Sequence, residues 1–276
     1  MHTNRSRWSK QKMIRIAAVI AAAVVAIIGG SLVLRILGGS PKNVLPGIRK
    51  RGTITIGVTS DTAPLGYIDA NGSLAGFEAD LARAIGGEIV GERSVVLVPV
   101  TNRTRAAKLD YGHIDFAISM ISNVSANQER YHQSDAYYTD PITFLTRSGK
   151  SITADEDLSG KKIAVFQDSI PHNTLKSHVE KWENPPQVIP YTSFDEIKGG
   201  LGSAEVDLVC AENSVLRQFG QSGYTISSHS IGSVSYAITI RKNENDLYQE
   251  VQNIVNRLKD DGTLTTLYNR YGLAQP

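Results

Sequence analysis

What most constrains this chain is a rhythm that runs once and then begins again. Residues 53–59 form an apolar, β-branched run with the alternation of a strand, and residues 76–85 follow with Phe77, Leu81 and Ile85 at helical spacing. A second strand is expected at 95–100, a helix at 104–111 and a third strand at 114–119. After Lys150 the pattern restarts, with strands predicted at 161–166, 187–191 and 206–210 and helices at 171–182 and 194–201 between them. Strands that alternate with helices build parallel sheets covered by helices. The chain is therefore expected to fold as two α/β units in tandem. It closes with a strand at 235–241, a helix at 245–260 and a short helix at 264–271. In the longer helix Leu247, Val251, Ile254, Val255 and Leu258 make one apolar stripe, the mark of a helix laid on a core.

The first forty residues differ from the rest. They carry Arg5, Arg7, Lys10, Lys12, Arg15 and Arg35 and no acid, so the chain's net charge of +2 hides 23 basic against 27 acidic residues in the remainder. That mildly acidic remainder gives no footprint for nucleic acid. Residues 16–34 hold no charge at all. Their length suits a bilayer's hydrocarbon core, and the basic residues in front would stay cytoplasmic. A cleaved signal peptide is the competing reading, but no small-x-small site follows. The organisation expected is a basic segment at 1–15, a transmembrane anchor at 16–37, a linker at 38–52, a first lobe at 53–146 and 232–276, and a second lobe at 147–231.

From about residue 52 to 272 an ordered set of landmarks appears. In the first unit these are Pro64-Leu-Gly-Tyr67, Asn71-Gly72-Ser-Leu-Ala-Gly-Phe-Glu-Ala-Asp-Leu81, Leu109-Asp-Tyr-Gly-His-Ile-Asp115 and Ser134-Asp-Ala-Tyr-Tyr138. In the second they are Asp157-Leu-Ser-Gly-Lys-Lys-Ile-Ala-Val165, Ala204-Glu-Val-Asp207, Tyr236-Ala-Ile-Thr-Ile-Arg-Lys242 and Asp261-Gly-Thr263. Together they resemble the extracellular solute-binding proteins of polar amino-acid ABC importers. The resemblance implies an α/β, two-lobed, type II periplasmic-binding-protein-like fold with two crossover strands, here preceded by a transmembrane helix. Residues 141–147 and 228–234 would form the crossovers. A ligand cleft would lie between the lobes, with an amino acid or a related small polar solute as ligand and an ABC permease as partner.

A zwitterion entering such a cleft sheds water, so its carboxylate needs a guanidinium or hydroxyl and N–H donors, and its ammonium needs an acid. The family register places Ser122 at the ligand hydroxyl position and Glu212 at the amine-binding acid. The same register puts Asn127 where the family carries its carboxylate-binding arginine, with Arg130 one helical turn further. Two readings stay open: Arg130 reaches the carboxylate, or Asn127 takes the site without a salt bridge. Asp61, at the end of the first strand, offers a second acceptor. Leu65 replaces the family's aromatic platform, and Tyr67 either compensates for it or packs in the core. Met120 crowds the cleft wall where a small residue is usual. Ser169 offers a hydroxyl at a helix N-terminus, beside an Asp168 that caps the helix or opposes the ligand's carboxylate. Asp80, Asp115 and Asp207 belong to scaffold motifs and read as caps and turns.

Nothing else in the chain carries chemistry. The histidines are scattered without metal-ligand spacing, no cofactor fingerprint or catalytic triad motif is present, and the single cysteine, Cys210, sits in an apolar strand. The reading is a non-enzymatic receptor held at the outer face of the membrane. The alternatives are a prephenate-type dehydratase on the same scaffold, with Glu212 as its acid, and a sensory module signalling through the anchor.

Overall fold

In the computed structural model, residues 41–91, 94–220 and 222–273 are described. The first element among the described residues is helix α1 (Leu45–Arg51). Strands β1 (Ile54–Thr59), β2 (Asp61–Thr62), β3 (Gly66–Ile68) and β4 (Leu74–Ala75) follow, then helix α2 (Phe77–Val90) and β5 (Val95–Val100). Helix α3 (Arg105–Asp110), β6 (Phe116–Ile118) and α4 (Ser125–Arg130) lead into the long strand β7 (Tyr131–Arg147). The second unit contains β8 (Lys162–Phe166), α5 (Ile170–Val179), β9 (Gln187–Tyr191), α6 (Phe194–Gly202), β10 (Leu208–Glu212) and α7 (Asn213–Leu216). A second long strand, β11 (Tyr224–Arg241), and helices α8 (Asn245–Asp260) and α9 (Thr263–Tyr271) complete the chain.

One eight-stranded sheet runs through both lobes in the order β5-β1-β6-β11-β7-β10-β8-β9. On one side β5, β1 and β6 are parallel to one another, and on the other β10, β8 and β9 are parallel. Between them β7 and β11 run antiparallel from Tyr131↔Arg241 to Arg147↔Tyr224, with register shifts around Ser230 and Gly232. The sequence places a strand only at 235–241 and crossovers at 141–147 and 228–234. The structure joins these into two ribbons that serve both lobes.

The two lobes use the same fastening. In the first, the Asp115 carboxylate accepts from the Thr55 amide at 2.8 Å while the Asp115 amide donates to the Thr55 carbonyl at 2.7 Å. In the second, Asp207 and Lys162 make the matching pair at 3.0 and 2.8 Å. Each aspartate thus ties the start of one strand to its parallel neighbour. Asp80 joins Arg83, Arg270 and Tyr271, locking α2 to α9. The three aspartates thus serve the scaffold, as fasteners between strands and helices rather than as the caps and turns expected.

The core is built from the faces the sequence marks. Phe77, Leu81 and Ile85 of α2 and the whole stripe of α8 are buried. Phe77 stacks on Tyr268 of α9 with ring centroids 5.3 Å apart, which returns the C-terminal helices to the first lobe. A separate cluster around Leu145, Ile197, Leu201, Val209 and Leu216 fills the second lobe. Burial pushes the Cys210 thiol far above its ordinary pKa, consistent with an inert side chain.

The linker at 38–52 is a helix over most of its described length: α1 buries Leu45 and Ile48, the Leu45 amide donates to Asp246 at 2.8 Å, and Arg49 pairs with Glu250 at 2.8 Å. The Gly-Gly-Ser-Pro that suggests a linker simply precedes it, and Pro46 at the helix start is where proline is tolerated. The anchor at 16–37 lies outside the described residues. Among the described residues no helix is long and apolar enough to cross a membrane.

Candidate functional site

In open α/β sheets, ligands bind beyond the carboxyl ends of parallel strands. Here two such sets of ends face one another across the β7–β11 ribbon. The ends of β1 (Thr59) and β6, continuing into Met120 and Ser122, meet the ends of β8 (Phe166) and β10 (Glu212) around a cavity of about 580 Å³. That volume suits a small ligand.

Four residues expected at the site line this cavity: Asp61, Ser122, Ser169 and Glu212. Ser122 is held by the β11 strand through a bridge to Tyr236. Ser169 caps α5, its hydroxyl accepting from the His172 amide at 3.1 Å, so that hydroxyl is already engaged as the helix requires. Glu212 ends β10. Burial, reinforced by the neighbouring Asp140 carboxylate, pushes its carboxyl up to about 7. Asp140 is itself raised to about 6 by burial, against the opposing hydrogen bonds of Ser214.

The other four lie off the cavity wall. Leu65 is fully buried in the first-lobe core, its carbonyl accepting from the Glu78 amide at 2.8 Å. Tyr67 pairs with Asp61 and Ala75 in the small β2-β3-β4 sheet. Asn127 turns its amide onto the Ser122 carbonyl at 2.8 Å and the Ser122 hydroxyl at 3.3 Å. It therefore braces the loop that presents Ser122. Arg130 is largely exposed, pairs with Asp110 and lies against the Tyr131 ring. Of the two readings, neither Arg130 nor Asn127 is on the cavity wall: at the last residue of α4 the Arg130 side chain meets Asp110 at the end of α3, and Asn127 is turned onto Ser122.

The guanidinium that does face the cavity is Arg105, which the sequence analysis passed over. It opens α3 and is half-buried. Its Nη1 donates to the carbonyls of Ser119 at 2.5 Å and Met120 at 3.0 Å, where β6 ends. Among the described residues, Nε and Nη2 find no protein acceptor. Burial lowers its pKa, while Tyr137, Glu78, Tyr236 and Asp61 favour the charge. One signal was available: a basic residue a few positions after a parallel strand stands at the rim where such sheets bind.

The backbone here is under strain. Met120 has φ 47° and Asp168 φ 58°, in the left-handed region that side chains disfavour, and both line the cavity. Met120 is held there because its amide donates to buried Glu78 at 2.8 Å and to Tyr137 at 3.0 Å while its carbonyl accepts from Arg105. Apolar walls come from Phe166, Phe194 and Tyr236 rather than from the position of Leu65. The Tyr236 hydroxyl is buried and unpartnered, and burial holds its pKa well above the usual value. Among the described residues no group of histidine, cysteine or acidic side chains is arranged to hold a metal.

The sequence model of bacterial extracellular solute-binding proteins, family 3, matches residues 54–274. The ABC transporter glutamine-binding protein of Bacillus subtilis is 24% identical over 237 residues, covering 84% of this chain and 85% of that protein. The L-cystine-binding protein of Escherichia coli is 22% identical over 262 residues, covering 92% and 94%. Among solved structures, an ancestral arginine-binding protein bound to arginine superposes with a TM-score of 0.64 at 27% identity, covering 80% of this chain and 98% of that one. An ancestral amino-acid-binding protein that is a precursor of cyclohexadienyl dehydratase gives 0.67 at 25%, covering 83% and 99%.

Proposed function

The chain belongs to the bacterial extracellular solute-binding proteins of family 3, and from that premise we propose that its interlobe cavity captures an amino acid for delivery to an ABC permease. The Bacillus subtilis relative is named as the glutamine-binding protein of an ABC transporter, and the chain is a receptor rather than an enzyme. The observation that carries the ligand reading is the opposition of Arg105 on the first lobe to Glu212 on the second, around one cavity. A guanidinium with unused N–H groups suits an α-carboxylate, and a desolvated acid suits an α-ammonium. Ser122 adds a hydroxyl, and the aromatic walls exclude water from both contacts. Closing the lobes over the ligand strengthens each interaction by lowering the local dielectric.

Two finer points belong to the same proposal. The basic cluster and the apolar run at 16–34 tether the receptor to the membrane, with the lobes outside. The permease then receives ligand from a receptor held close to it, which raises the effective concentration of the encounter.

Calorimetric titration of residues 41–276 with the standard amino acids tests the ligand reading. Saturable heat with at least one supports it, and no heat with any overturns it. Fractionation of cells producing the full chain tests the tether: carbonate-resistant membrane association supports it, and release into the soluble fraction overturns it.

A further inference from the structure

The charge of the cavity wall says more than that an amino acid binds. Asp61, Asp168 and Glu212 line it, and Arg105 is the one cationic side chain among its described lining residues. With all four ionised, two negative charges are left uncompensated before any ligand arrives. A neutral zwitterion brings no net charge to offset them, and an acidic amino acid adds to the excess.

We propose that the ligand is a cationic amino acid, one whose side chain ends in an ammonium or guanidinium. The inference rests on the reading of the cavity as an amino-acid site and deepens it. Arg105 and Glu212 account for the α-carboxylate and α-ammonium, which leaves Asp61 and Asp168 for a second positive charge. These two carboxylates stand on opposite lobes, Asp61 on β2 of the first and Asp168 between β8 and α5 of the second. Their placement has a mechanical consequence. Bringing the lobes together concentrates like charges in a space that is losing water, so closure is opposed until a cation lies between them. A cationic side chain therefore acts as the bolt that permits closure, and a neutral one of equal length does not.

A second, independent feature points to a donor-rich ligand. Tyr236 lies on the same wall and is only 2% exposed, and its buried hydroxyl has no hydrogen-bond partner among the described residues. A buried hydroxyl left unpaired is costly, and an ammonium or guanidinium N–H satisfies it as acceptor. The Asp168 backbone is consistent with this assignment. Its φ of 58° is strain in a non-glycine residue placed at the rim, and its carboxylate accepts from the Gln167 side chain alone, at a long 3.3 Å, among the described residues.

The experiment is a calorimetric titration of the full chain, kept in mild detergent, with arginine, lysine and ornithine against glutamine and glutamate, at pH 8 and low ionic strength. The expected result is that at least one cationic amino acid binds at least tenfold more tightly than glutamine, with glutamate weakest. In the variants Asp61→Asn and Asp168→Asn that preference should shrink by about tenfold each, consistent with loss of one charge contact, while glutamine binding should weaken less. Tighter binding of glutamine or glutamate by the unmodified protein overturns the inference and leaves the amino-acid reading standing. Absence of binding by any of the five overturns the inference, and extension of that silence to all standard amino acids overturns the reading beneath it. The wild-type comparison does not depend on the variants folding.

Discussion

The Arg105 guanidinium donates to the carbonyl of Met120 at 3.0 Å, and so one side chain both pins the strained end of β6 and faces the cavity. The two duties predict two separable losses. Arg105→Ala removes a charged hydrogen bond to ligand, worth about 1.5–3 kcal/mol, so affinity should fall about 10- to 100-fold. It also frees two carbonyls and should lower thermal stability. Arg105→Lys keeps the charge without the planar fork and should recover part of the stability and little of the affinity. If lysine binds, comparison with its decarboxylated diamine isolates the contact: the advantage of lysine over cadaverine should vanish in Arg105→Ala. Persistence of that advantage would place the carboxylate elsewhere.

Arg130 gives the complementary prediction. Its side chain is 62% exposed and paired with Asp110 at the surface. Exposed pairs are worth about 0–1 kcal/mol, so Arg130→Ala should change neither affinity nor melting temperature by much. Asn127→Ala, by contrast, removes the amide that braces Ser122 and should weaken binding several-fold by loosening a wall residue. Titration of the two variants side by side would reverse this order if Arg130 reached the ligand.

The difference between these two residues shows where sequence reading stops. The alternation of strand and helix and the apolar stripe of α8 were legible because they follow from local periodicity, whereas Asp115 and Asp207 were assigned to the scaffold only through the family's motifs. Glu212 was placed by the family register, and it ends β10 on the cavity wall. Arg105 was not singled out, since the rim signal after β5 applies equally to the neighbouring Arg103; what selects Arg105 is the packing of α3 against the end of β6. The ribbons β7 and β11 were read only in part, because Pro141 and polar residues interrupt their alternation where they pass from one lobe to the other. The core position of Leu65 was equally hidden, being set by the turn that carries it over α2 rather than by its neighbours in sequence.

Gly66 tests a close approach. A Cβ at this position would stand 2.2 Å from the Thr59 carbonyl oxygen, a backbone atom that has no rotamer with which to yield. Gly66→Ala should therefore destabilise the first lobe by about 1–3 kcal/mol through overpacking. Because Thr59 lines the cavity, ligand affinity should fall as well. Chemical denaturation with and without ligand reads both effects; an unchanged midpoint would mean that the β1–β3 contact relaxes freely.

Glu212 sets the pH dependence. Its carboxyl is raised from the ordinary 4.5 to about 7, first by burial and then by Asp140. In the ligand-free protein the raised value means that the folded state binds a proton more readily than the unfolded one. This group's contribution to stability is thus full at low pH and is lost as pH rises through about 7. Asp140, raised to about 6, acts in the same sense. Affinity should run the other way, because an ammonium requires the ionised acid. Between pH 7 and pH 5 binding should weaken by about tenfold per unit, the proton competing with the ligand for Glu212. Calorimetry in buffers of different ionisation heat should show about one proton released on binding at pH 6 and fewer at pH 8. Glu212→Gln should flatten the profile and lower affinity at pH 8, and a Glu212→Gln protein that kept the wild-type slope would assign the titration to Asp140 or to the ligand itself.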